Sequence, residues 1–161
     1  MIGPILKSHH ADLLRMNAQF VHWLSPLDQA KLDYVLTRAT YQRQINDGAG
    51  VLLAYPDTVD YPDHKNLTWL RAHVQNFFYI DRIIIDAAVQ GQSLGQRLYA
   101  DVERFAALAG YDHLACEVNT RPNNPGSHRF HQQMGFKTIG TENYPDYKAA
   151  VRYYSKALDR F

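Results

Sequence analysis

Three groups of residues in this 161-residue chain have types and spacings suited to chemistry. The first is Gln90-Gly91-Gln92-Ser93-Leu94-Gly95-Gln96, where two glycines four apart flank small Ser93 and leave the main-chain amides open. Ahead of a helix, such a turn makes an anion cradle. The first amides of a helix lack carbonyl partners, and the positive end of its dipole faces the same point. Spacing excludes two common cradles: no Lys follows Gly95 as a P-loop requires, and the glycines do not fall in GxGxxG order. The second group is Asp81-Arg82, charged residues inside an apolar run. Each needs water or a partner there, so Asp81 is either a catalytic base or half of a structural ion pair. The third group is His128 and His131, three apart and so on one helix face. No Cys, Asp or Glu cluster with ligand spacing accompanies them, and no metal is expected. Cys116, in a predicted core strand, reads as packing.

The elements that must position these groups follow from periodicity. Phe77 to Asp86 reads as one long strand, with 77, 79, 81, 83 and 85 on one face and the even positions on the other. Leu94, Leu98, Val102 and Phe105 give the next helix one apolar face, and Gly110 ends it. His113 to Asn119 alternates as a strand. Asn124 then caps a helix with Pro125 at its first position, which runs to Met134 and stops at Gly135. Upstream, Ile2, Ile5 and Leu6 suit a brief strand, and Ser8 a cap for a helix whose apolar residues extend to Leu24. Ser25-Pro26-Leu27-Asp28 starts a second helix, carried towards Ile45 and stopped by Asn46-Asp47-Gly48. Gly50 to Tyr55 is a strand, residues 56–63 are turn chemistry, and Asn66 caps a short helical piece. The span holding Tyr61, His64 and Trp69 is either a binding loop or a solvated insertion with Trp69 plugging the core. Lys137–Tyr144 and Ala149–Leu158 form a closing hairpin, whose tyrosines 144, 147, 153 and 154 border a pocket or pack.

Composition bounds the rest. The length suits one domain, spanning 1–161, with a proper core. A net charge of +1 argues against a nucleic-acid surface. The single cysteine excludes an intrachain disulfide and makes a reducing cytoplasm the default, while no apolar run is long enough to span a bilayer and the N-terminus lacks a signal pattern.

Gln90-x-x-Ser93-x-Gly95 resembles the [RQ]xxGx[GA] turn of the GNAT superfamily of acyl-CoA-dependent N-acyltransferases, with Ser93 where Gly is usual and Gln90 where Arg is commoner. Asn124, Ser127, Phe130, His131, Gly135 and Phe136 fall in the register of a second GNAT motif, with His131 at the usual Tyr position. The likeness covers roughly residues 77 to 140. It implies a mixed α/β fold with a mostly antiparallel sheet flanked by helices. It also implies acetyl-CoA as co-substrate and an amine acceptor, either a small molecule or an amino terminus. The oligomeric state is left open, a homodimer included.

The resemblance assigns roles residue by residue. Amides of Ile83, Ile84 and Ile85 would hold the pantetheine arm and acetyl carbonyl. Those of Gln90, Gly91, Gln92, Ser93, Leu94, Gly95 and Gln96 would hold the pyrophosphate, with Asn124, Phe130 and His131 also at the coenzyme. Acyl transfer further needs a base for the amine and a proton for the departing thiolate. Protonated His131, at the Tyr position, is the expected donor; Glu117, then Asp81 and Tyr79, are the expected bases. Two other classes stay open: a coenzyme-binding module without catalysis, and a different α/β nucleotide-binding protein.

Overall fold

The computed structural model describes residues 1–160. Strands β1 (Ile2–Pro4), β2 (Tyr41–Ile45), β3 (Gly50–Pro56), β4 (Phe77–Ile85), β5 (His113–Arg121), β6 (Lys137–Tyr144) and β7 (Ala149–Ala157) form one sheet in the order β1-β2-β3-β4-β5-β7-β6. Helices α1 (His10–Gln19), α2 (Gln29–Arg38), α3 (Lys65–His73), α4 (Leu94–Leu108) and α5 (Pro125–Gln133) flank it. Every pairing is antiparallel except β4 with β5. That parallel pairing holds only from Phe77–Tyr79 against His113–Ala115. Beyond it the two strands separate while β5 continues along β7, so the sheet opens into a wedge at its centre.

A core lies on each face. One gathers Leu13, Leu32, Leu67, Tyr55, Phe77 and Tyr79 under α1, α2 and α3. The other gathers Tyr41, Phe78, Ile80 and Leu114 against the Leu94, Leu98 and Val102 stripe of α4. No described helix is long and apolar enough to cross a membrane.

The structure corrects several local expectations. The second helix stops at Arg38, and Tyr41–Ile45 is strand β2 between β1 and β3. Tyr41 and Ile45 are both buried. Residues four apart share a face in a helix and in a strand alike, so their spacing could not separate the two. The first helix ends at Gln19 rather than near Leu24. Asp28, not Ser25, caps α2 by accepting from the Lys31 amide at 2.8 Å. His64, not Asn66, caps α3, and Ser8 lies in a short 3-10 turn whose side chains do not cap α1.

The β4 faces also differ from simple alternation. Leu53 pairs with Arg82 and Ala54 with Ile80, leaving Asp81 as the extra residue of a bulge. One inserted residue reverses the parity, so Phe77 and Tyr79 share a core with Ile84, while Phe78 and Ile80 share theirs with Ile83 and Ile85.

Candidate active site

A cleft of about 1090 Å³ runs through the wedge, from the turn before α4 past β4 and β5 to the α1–α2 connection, α3 and the β6–β7 hairpin. One end is the turn. Gly91 (φ 85°) and Ser93 (φ 61°) both take left-handed backbone, a conformation open to glycine and strained for serine. Ser93 stands at the N-cap of the fifteen-residue α4 yet makes no side-chain cap. Among the described residues no hydrogen-bond acceptor is found for the amides of Gly91 and of Ser93 through Gln96. These donors sit where the helix dipole is positive, and a Cβ built on Gly91 would meet nothing, so the cradle is open on its outer side. Gly95 is glycine for another reason: a Cβ there would come 3.2 Å from the Phe130 ring, which packs α5 on α4. The residues therefore fit a diphosphate. Alternate amides and carbonyls of Ile83–Ile85 face the gap left by β5. Gln90 folds its side-chain amide back to the Ile85 carbonyl at 3.4 Å. Asn124 caps α5, accepting from the Ser127 amide at 3.4 Å, and borders the cleft.

His131 lies beside that cradle, and its surroundings differ from the expected imidazolium. It is 4% exposed, and burial lowers it to about 4, so the ring is neutral near neutral pH. Both nitrogens are engaged. The Ser127 carbonyl, at 2.8 Å from Nδ1, can only accept, so Nδ1 carries the proton and Nε2 accepts from the Tyr99 hydroxyl at 2.7 Å. His128 repeats the arrangement: Nε2–H donates to the Asn119 carbonyl at 2.9 Å and Nδ1 accepts from Tyr154 at 2.6 Å. The two histidines thus fasten α5 to its neighbours through separate tyrosines.

The carboxylates meet in the centre. Glu117, on β5, accepts from the Tyr79 hydroxyl on β4 through both oxygens, one at 2.9 Å. Burial, opposed by that hydrogen bond, raises Glu117 to about 7. The same burial holds the Tyr79 phenol well above its ordinary value, so Tyr79 donates and does not serve as a base. Asp81 is held more tightly. Arg82 Nε reaches it at 2.7 Å, and the guanidinium also donates to Asn17 at 2.9 Å and Ser25 at 3.2 Å. Tyr55 donates to the other Asp81 oxygen at 2.8 Å. Tyr55 in turn accepts from His64 at 3.0 Å, because His64 Nδ1 is occupied by the Leu67 amide. The Tyr55 and Tyr79 rings stack at 5.2 Å, so one aromatic pair carries both acids. The fold therefore groups Asp81, Glu117 and Tyr79, and sets His131 apart with Tyr99.

Tyr61, His64, Tyr144 and Tyr147 line the outer cleft. Trp69 does not; it lies between His73 and Tyr153, with ring separations of 3.7 and 4.0 Å. Tyr55 and Tyr99 escaped the sequence reading. Their signal was a hydroxyl in an otherwise apolar stretch, which must find a partner when buried. Trp23 escaped it too: its indole donates to the Asn123 carbonyl at 2.9 Å, and the Asn119 side chain donates to the Trp23 carbonyl at 3.0 Å, strapping the α1–α2 connection to β5 and to the β5–α5 connection.

In sequence, the profile of the Acetyltransferase (GNAT) family matches residues 48–136, the span that carries the separated strand pair and the uncapped helix N-terminus. The chain belongs to the GNAT acetyltransferases. That family uses acetyl-CoA as co-substrate. Solved structures share the GNAT fold along nearly the whole chain. Ard1 from Thermoplasma volcanium superposes with a TM-score of 0.78 at 11% identity, covering 99% of this chain and 98% of the other. The ribosomal-protein-S18-alanine N-acetyltransferase from Escherichia coli gives 0.67 at 12% identity over 100% and 95%. An agmatine N-acetyltransferase mutant gives 0.70 at 13% identity over 98% and 99%. No curated protein matches the chain in sequence.

Proposed function

We propose that this GNAT protein moves an acetyl group from acetyl-CoA directly to a primary amine, with donor and acceptor held in the cleft together. One observation carries this reading: the half-separated β4 and β5 put a carboxyl group of raised pKa, Glu117, in the wall of a cleft that starts at an open diphosphate cradle. Structural neighbours named for acceptors as different as a ribosomal-protein alanine and agmatine support an amine acceptor, small or amino-terminal.

Acetyl-CoA supplies an activated thioester carbonyl. The chain's residues do the remainder. Amides of Gly91–Gln96 would grip the diphosphate, and the free edge of Ile83–Ile85 would hold the arm and polarise the carbonyl. Glu117 takes a proton from the incoming ammonium, directly or through water, which frees the nitrogen lone pair. The new C–N bond forms as the C–S bond breaks. The second nitrogen proton goes with the departing sulfur, so neutral His131 is not needed as an acid. Asp81 stays with Arg82 and Tyr55 as a fixed negative charge that helps keep Glu117 basic.

Thiol release from acetyl-CoA with an amine panel tests this. Activity should rise as pH passes through about 7, where Glu117 ionises. Glu117→Gln should lower kcat by about 10²-fold and abolish that limb. A wild-type limb in the variant, or no release with any amine, would refute the reading.

A further inference from the structure

Beyond Glu117 the cleft is lined by Trp23, Lys31, Tyr61, Lys65, Tyr144 and Tyr147. The cations here are held by aromatic groups. Lys31 Nζ donates to the Tyr61 hydroxyl at 2.6 Å and lies 5.1 and 5.0 Å from the Tyr34 and Tyr61 ring centres. Arg38 sits 3.4 Å over Tyr34. Lys65 Nζ lies 4.1 Å from the Tyr147 ring centre and 5.6 Å from that of Tyr144. Among the described residues neither lysine has a carboxylate partner.

Two consequences follow. Aromatic faces that would otherwise attract a cationic ligand are already taken by the chain's own cations. Two ammonium charges also face the outer cleft, against one exposed carboxylate, Asp63. The inner carboxyl groups are placed differently, Asp81 paired with Arg82 and Glu117 in the wall beside Tyr79. The cleft is thus polarised, acidic within and basic at its mouth.

We propose, resting on the acetyl-transfer reading above, that the acceptor is an amine that carries a carboxylate, its ammonium directed to Glu117 and its anion to Lys31 and Lys65. A free amino acid supplies that pairing, and so does an acidic residue at the amino end of a peptide. A polyamine would place its second cation against the two lysines and be rejected.

The test measures kcat/KM by thiol release with acetyl-CoA for amino acids, their carboxamides, peptide amides beginning with Asp or Glu, and spermidine. Amino acids should exceed their carboxamides by about tenfold or more, the worth of a hydrogen bond to a charged group. Activity confined to the acidic peptides would assign the anion to the side chain of a peptide terminus. In Lys31→Gln and in Lys65→Gln, each checked for retained coenzyme A binding, the ratio of acid to carboxamide should fall towards one. Equal or better turnover of carboxamides or spermidine, or a ratio that survives both substitutions, overturns the inference while acetyl transfer stands. Silence from every amine overturns both.

Discussion

His131 and Glu117 are displaced in opposite directions by the same cause, burial, and their effects on stability have opposite signs. His131 titrates near its ordinary 6.5 when unfolded and at about 4 when folded. The unfolded chain therefore binds the extra proton first, and stability falls as pH drops from about 6.5 through about 4. The full loss is on the order of 3 kcal/mol. Urea unfolding of wild type and His131→Gln at neutral and acidic pH checks this: the variant, already less stable at pH 7, should show a flatter acid limb. Parallel limbs would contradict it. For Glu117 the folded state keeps a proton that the unfolded chain releases above about 4.5, so its contribution weakens as pH rises towards about 7. These residues were legible as types: a histidine at a motif position and a carboxylate on the neighbouring strand. Their protonation states were not, because burial and partners such as Tyr99 and Tyr79 come from elements distant in sequence.

Elements were legible where one period ran undisturbed. The α4 stripe, the Asn124-Pro125 start of α5 and the closing hairpin all stand where spacing and capping chemistry put them. The lapses fell where two rules gave one pattern. Tyr41 and Ile45 fit either period, and Ser25-Pro26 imitates a helix start although Ser25 is used instead by Arg82. Ser93 offers a direct test of the turn. A serine in left-handed backbone carries about 1 kcal/mol or more of strain that glycine does not. Ser93→Gly should leave the amides in place and raise the melting temperature by a few degrees, as about 1 kcal/mol does in a domain of this size. Calorimetric titration with coenzyme A should then show affinity kept within severalfold. A lower melting temperature would mean that the turn depends on the serine hydroxyl.

For the molecule as a whole, the decisive feature is that the sheet is not zipped throughout. The wedge between β4 and β5 places the open amides of the turn before α4, the two carboxyl groups and the two lysines along one cleft. A ligand that binds only the folded state stabilises it by about 2.7 kcal/mol at a hundredfold excess over its Kd. Coenzyme A should therefore raise the melting temperature in a concentration-dependent way, while ATP and NAD at equal concentration should not. Equal shifts by all three would reduce the cradle to a general anion site. The wedge was out of reach of local sequence patterns, since strand separation depends on which edges pair far along the chain. The bulge at Asp81 has a bearing on how that pairing is found. It divides β4 into two stretches of opposite phase, so no sliding of β3 along it can seat one stretch correctly without inverting the other. The central antiparallel pair has a single self-consistent alignment, and the fold carries its own safeguard against mispairing.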